Sequence, residues 1–271
     1  ISSIEMPVKY SSGVGNAMWV GHIMLAHRYN LGSLRDFRRG STLPNGTISE
    51  RDTVMFVPVG SIGHRFSYDR GVRLFIAQRA GSLPSVYGNR YSHLWRKPGE
   101  DRDTLSFNPL DSTRMVQFSN NFSLSLREGF RPWVKMGITG YARLENRAFH
   151  VQDSIAGRQD TKEFATYIGG RVERHNGTGL NFDAGGEIAV LGADIGSMRL
   201  SGNVSSRFSL WGVPVGIEAD ARFHFLRVPY LWSHHHGSYV WWDTKFGFTK
   251  QFVVGGTLSA PQWGTKFSLH S

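Results

Sequence analysis

The sequence predicts an all-β chain, an antiparallel up-and-down transmembrane β-barrel of about 12 strands. Three observations carry this. Apolar and polar residues alternate with a period of two through most of the chain, whereas helical spacing is hard to find. Several alternating segments run about a dozen residues, above the ~5 to 6 of ordinary globular strands and near the ~9 to 11 of a tilted membrane strand. Connections between them alternate between long and short, as they do when successive hairpins emerge on opposite sides of a membrane and one side carries extended loops.

Taken in order, the segments begin with the apolar run Met18 to Ala26. His22 interrupts it, and it falls far short of the ~18 residues of a spanning helix. Segments 54–68 and 72–80 follow, less cleanly patterned and joined through a short connection at 69–71. In 116–126 Val116, Phe118, Asn120, Phe122, Leu124 and Leu126 alternate with Gln117, Ser119, Asn121, Ser123 and Ser125. Segments 133–144, 164–174 and 180–190 behave alike. Residues 198–210 set Leu200, Val204, Phe208 and Leu210 against Arg199, Ser201, Asn203, Ser205 and Arg207, and 213–225 set Val213, Val215, Ile217, Phe223 and Phe225 against Glu218, Asp220, Arg222 and His224. Segment 240–248 is a weaker strand, and further weak candidates lie at the N-terminus and after Gln251. The long connections are then 30–53, 81–113, 149–162 and 226–237. The short ones are 127–132, 175–178 and the Trp211-Gly212 turn, with 191–197 intermediate.

Alternation alone does not separate a soluble sandwich from a membrane barrel. Segment length and connection rhythm favour the barrel, and so does charge placement. In 164–174, 180–190, 198–210 and 213–225 every Asp, Glu and Arg except Arg174 lies on the polar face. An Arg facing mid-bilayer lipid would cost ~2 to 4 kcal/mol, less at a strand end where Arg174 sits. Trp133, Trp211, Trp232, Trp241 and Trp242 lie near predicted strand ends, as interfacial aromatics of a barrel do.

Composition removes other classes. The 271 residues include no cysteine, which excludes disulfide scaffolds, thiolate metal sites and cysteine nucleophiles. Net charge is +10, and residues 1–135 hold 18 basic against 10 acidic groups. Such an excess points to nucleic acid, anionic lipid or anionic solutes, but 24 of the 31 basic residues are dispersed arginines, which weakens the first. No domain boundary or repeat stands out. The expectation is one barrel domain over 1–271, complete or an incomplete portion of a longer barrel, with 81–113 as a long loop that folds inward as a constriction or lies on the surface. The N-terminus shows no basic-then-apolar leader, so any signal peptide is already gone or the chain starts internally.

The polar faces hold the candidate site. On the better-phased strands the inward set is Lys135, Arg143, Arg171, Glu173, Asp183, Glu187, Arg199, Arg207, Glu218, Asp220, Arg222 and His224. With six basic and five acidic groups, the wall reads as mixed rather than anion-selective, lining a wet interior or pairing as a plug. His234, His235 and His236 suggest a metal, but neighbours on a strand point to opposite faces, so a surface loop is the expectation and no metal or cofactor is assigned. A lipid hydrolase would draw on Ser201, Ser205 and His224, yet serine is abundant on every strand. No G-x-S-x-G, H-E-x-x-H or P-loop motif is present, and Gly13 to Gly15 is a turn or strand start. Sequons at Asn45, Asn121, Asn176 and Asn203 are assigned nothing.

Four stretches resemble a known family: VPVGSIGHRFSYDRGVRLF (57–75), LSLREGFRPWVKMGITGYARLENRAF (124–149), LGADIGSMRLSGNVSSRFSLWG (191–212) and HHHGSYVWWDTKF (234–246). Their combination and order are similar to the putative porin family of Bacteroidetes outer-membrane β-barrels, although family members usually extend further at both ends. The resemblance implies a bacterial outer-membrane location, contact with outer-membrane lipid and lipopolysaccharide, envelope protein partners, no nucleic acid, and no catalytic residues. The expected function is passive diffusion of small polar solutes. The alternative is a non-conducting structural subunit that docks a partner through its long loops, with a lipid hydrolase behind both.

Overall fold

The computed structural model describes residues 14–43, 47–77, 110–131, 133–153, 157–175, 179–236 and 241–271. Twelve strands are present among them: β1 (Val14–Phe37), β2 (Thr53–Ala77), β3 (Leu110–Leu126), β4 (Gly137–Asp153), β5 (Gly157–Arg174), β6 (Leu180–Gly192), β7 (Met198–Leu210), β8 (Val213–Arg227), β9 (His234–His236), β10 (Trp241–Asp243), β11 (Phe248–Ala260) and β12 (Thr265–His270). A four-residue helix, α1 (Tyr230–Ser233), precedes β9. Ten strands form one antiparallel sheet in the order β1-β2-β3-β4-β5-β6-β7-β8-β11-β12, with β9 and β10 pairing separately. Each strand of the large sheet lies beside its neighbour in sequence, apart from the excursion through α1, β9 and β10. β1 and β12 are its two edges.

Cross-strand register places the two faces. On the inner face Ser123 pairs with Tyr141, Arg143 with Tyr167, Glu187 with Arg199, and Arg199 with His224. The outer face carries Phe122, Leu144, Ile168, Ile188, Leu200, Ile217 and Phe252, each between 42% and 65% exposed. A water-soluble sandwich would bury these side chains. A continuous apolar belt across seven strands calls for an apolar surrounding. The buried cluster Ala165, Tyr167 and Ala189 lies inward instead. On β1–β3 the outer face also carries His27, His64 and Asn120. These partner one another: His64 Nε2 lies 3.1 Å from Asn120 Oδ1, and the His64 ring stacks on Phe122 and meets His27 edge-on.

Several predicted connections are wholly or partly strand, and of the one predicted at 30–53 residues 30–37 belong to β1. Residues 69–71 lie within β2, where Asp69 pairs with His22 and Arg70 with Gly21. Residues 54–80 are therefore not two strands: 54–77 are one, and 78–80 lie outside the described residues. This merger puts connection 38–52 at the end of the sheet opposite to Ala77 and Leu110, where β2 ends and β3 begins, so the predicted long-short rhythm does not hold. The long connection predicted at 149–162 is mostly the upper part of a β4–β5 hairpin, paired as far as Asp153 with Gly157. Here the polarity inverts: Phe149 and Val151 turn inward and are buried, while His150, Gln152, Arg158, Asp160 and Lys162 turn outward. A strand leaving lipid for water reverses which face it must protect, and an apolar-out pattern misreads it as loop. Likewise 226–237 holds the end of β8, α1 and β9. The strand expected at 240–248 is only the short β10, and the next long strand begins at Phe248. β4 starts at Gly137, so Trp133 and Lys135 precede it. Of the loop predicted at 81–113, residues 110–113 belong to β3 and the remainder, with Arg90, Arg96, Lys97, Glu100, Asp101, Arg102 and Asp103, lies outside the described residues.

Candidate functional site

β4 directs Tyr141, Arg143, Glu145 and Arg147 inward at every second residue, opposite Glu163, Tyr167 and Gly169 of β5. β6 adds Glu187, β7 adds Arg199, and β8 ends on Arg227. The β6–β7 connection supplies the last member, Asp194. That connection folds back on the sheet through bonds from Ala193 N to Phe164 O (2.8 Å) and from Gly196 N to Ala189 O (3.0 Å). Gly192 makes the fold-back possible: its φ is 88°, and a Cβ there would stand 2.1 Å from Phe164 O.

The result is a ladder of four arginines and four carboxylates. Arg143 contacts Glu145 and donates to Glu187 at 2.7 Å, and Arg199 also contacts Glu187. Arg147 donates to Glu145 at 2.9 Å, contacts Asp194, and lies 3.7 Å from Glu163. Arg227 reaches Glu163 at 2.8 Å and Asp194 at 3.4 Å. Two tyrosines tie the rungs together. Tyr167 accepts from Arg147 at 3.0 Å and donates to Asp194, while the Arg143 guanidinium sits 4.1 Å from its ring centroid. Tyr141 donates to Glu187 at 3.2 Å, its ring lying over Gly169, where any Cβ would collide with it. Glu145 is only 5% exposed, so its charge is tolerated because two guanidinium groups compensate it. Burial opposes ionisation of Asp194, but hydrogen bonds from Arg147 and Tyr167 and the charges of Arg147 and Arg227 outweigh it. They hold the carboxyl below its ordinary range.

Above the ladder α1 covers the inner face. Tyr230 stacks on Phe149 at 4.6 Å and its hydroxyl lies 2.8 Å from Thr161 Oγ1. Between this cover and the ladder is a cavity of about 500 Å³ lined by Met115, Gln117, Arg147, Tyr167, Arg227 and Trp232. Below the ladder a larger one, about 770 Å³, opens against β1–β5.

Register places Arg143, Arg171, Glu173, Asp183, Glu187, Arg199, Arg207, Glu218, Asp220, Arg222 and His224 on this same face. Lys135 stands in the β3–β4 connection. Arg143, Glu187 and Arg199 join the ladder. Arg171 contacts Asp183 and lies 3.5 Å from Glu173, and Asn203 donates to Glu218 at 3.1 Å. Trp133 and Trp211 lie at the lower end of the sheet, both well exposed, and Trp211 occupies its turn with φ 50°. Trp232 and Trp242 lie at the upper end, where Trp242 Nε1 donates to Trp232 O at 2.8 Å, and Trp241 belongs to β10.

Sequence reasoning missed Glu145, Arg147, Glu163, Asp194 and Arg227, the centre of the ladder. The two-residue period continues through Glu145 and Arg147, and Glu163 is in phase with Arg171 and Glu173, but each lay just past a predicted strand end. Asp194 carries no such signal, because a connection delivers it.

Of the histidine run, His234 and His235 each meet an aromatic ring. The His234 ring stacks on Tyr230 and its Nε2 lies 3.4 Å from Asp243, whereas the His235 ring stacks on Trp242. Glu173, His175 and Asp183 bring ligand atoms within 4.8 Å of one another, but the Arg171 guanidinium already stands among the two carboxylates. Among the described residues His224 makes no hydrogen bond to Ser201 or Ser205.

A family model described as putative porin matches residues 1–271, the whole chain. The chain belongs to this porin family. No curated protein and no solved structure matches it. With the apolar outer belt, membership in a porin family points to a membrane-embedded, barrel-like protein.

Proposed function

We propose that this porin is an outer-membrane β-barrel through which small polar solutes diffuse passively. One observation carries the reading: a single antiparallel sheet turns an apolar belt across seven strands one way and a charged face with cavities of about 500 and 770 Å³ the other. Lipid demands that strands crossing it pair their backbone groups with neighbours, as β2 to β8 and β11 do on both sides, and polar side chains gathered on the opposite face define a wet path. Arg171, Asp183, Glu218, Asp220, Arg222, His224 and Arg207 line that path, with the ladder between its two cavities. Fixed charges of both signs give a passing solute replacement hydrogen bonds for its water shell, so transport needs neither cofactor nor covalent step. Trp133 and Trp211 at one end and Trp232, Trp241 and Trp242 at the other suit the two interfaces, the lipopolysaccharide leaflet among them.

The neutral ladder and its Tyr230 cover favour a second reading, a non-conducting subunit that docks an envelope protein through its upper connections. Planar bilayers separate the two. Discrete conductance steps and swelling of vesicles in small sugars are expected from the purified chain. Silent bilayers from protein that is demonstrably folded and inserted would replace the pore with the scaffold.

A further inference from the structure

The lower cavity is electrostatically unlike the ladder above it. Arg28, Arg65, Arg127 and Arg171 line it, against the single carboxylate of Glu173. Arg171 is already held by Asp183 and Glu173. Arg28, Arg65 and Arg127 pair with no carboxylate among the described residues, and all three are exposed. In the ladder each guanidinium is matched by an acid, whereas here three fixed positive charges stand free around one volume of about 770 Å³. The rest of the lining is polar but uncharged in large part, with Asn30, Asn121 and Tyr141 beside Ser61, Ser123, Ser125 and Thr139, the hydroxyl residues standing in successive cross-strand pairs. Space, hydrogen-bond donors and forked cations therefore coincide.

We propose that this cavity is the selectivity site of the passage, and that it favours small organic anions bearing a carboxylate or phosphate group. The inference rests on the porin reading and deepens it. Guanidinium forks match the paired oxygens of carboxylates and phosphates, and hydroxyls bind the polyol remainder of such solutes. A charged ring in a low-dielectric wall concentrates counter-ions and repels co-ions. The sequence-predicted set, with six basic against five acidic groups, implied a mixed wall because it left out β1 and β2. Those strands carry Arg28 and Arg65, in the half of the chain that holds most of the positive excess.

The test is the reversal potential of the reconstituted chain across a potassium chloride gradient, with vesicle swelling in potassium gluconate and in glycerol phosphate as carboxylate and phosphate arms. A several-fold preference for chloride over potassium is expected. It should fall to about unity when Arg28, Arg65 and Arg127 are all changed to Gln, and survive when the same three are changed to Lys. Faster swelling in one anion than in the other identifies which oxyanion fits better, and either outcome supports the proposal. A conducting channel with no anion preference, or one whose preference survives the Gln changes, overturns this inference and leaves the porin standing. A chain that passes no current overturns both.

Discussion

Replacing Arg147 by Ala removes the cation that Glu145, Glu163 and Asp194 share. No carboxylate is left wholly alone, since Arg143 still contacts Glu145 and Arg227 still contacts Glu163 and Asp194. What disappears is neutrality: four acids then face three guanidinium groups. The Arg147 side chain is 13% exposed and that of Glu145 6%, so water screens the imbalance poorly. Removing one partner of a buried ion pair costs ~3 to 5 kcal/mol. With compensating arginines at hand the loss should fall at the low end, about 3 kcal/mol, a more than hundredfold shift in the folded-to-unfolded ratio. Arg147→Lys keeps the charge but loses the fork that spans three acids, and about half that loss is expected. Urea unfolding in lipid vesicles, followed by tryptophan fluorescence, measures both. An Arg147→Ala protein within about 0.5 kcal/mol of the unaltered one would show that the ladder is hydrated and contributes little, against the argument from burial.

Other outcomes follow from the same geometry. Asp194 is held below the ordinary carboxylate range, so its stabilisation is fully present above that range and is lost only as pH falls through the lowered value; Asp194→Asn should flatten the acid limb of the stability profile and leave neutral pH reduced. Ile168→Arg on the outer belt should cost ~2 to 4 kcal/mol of stability in vesicles, whereas His150→Arg, outward but above the belt, should stay near the unaltered value; equal costs would contradict the inversion of polarity. Tyr230→Ala unstacks Phe149 and frees Thr161, so single-channel conductance should rise if α1 narrows the mouth, and an unchanged conductance would remove α1 from the path.

Sequence periodicity locates β6, β7 and β8 almost residue by residue, because those strands lie within the belt and each face meets one kind of surroundings throughout. β1 is harder: Met18, Val20 and Met24 face inward while Trp19, Ile23 and Leu25 face outward, so both faces are apolar and the period fades. Asp69, Arg70 and Gly71 look like a turn because their residue types favour one, yet cross-strand pairing with β1 and β3 overrides that preference. The candidate site was legible where it is built from alternating strand positions. It was illegible at Asp194, since a long-range contact through a connection leaves no periodic trace.

The reversal of polarity between Phe164 and Lys162 also fixes how deep the protein can sit. Sinking by a single pair of residues would drag Lys162 and then Asp160 among acyl chains, and rising by as much would lift Phe164 into water. Either displacement is opposed, so the β4–β5 hairpin works as a waterline that sets the height of the wall alongside the tryptophans at its two ends.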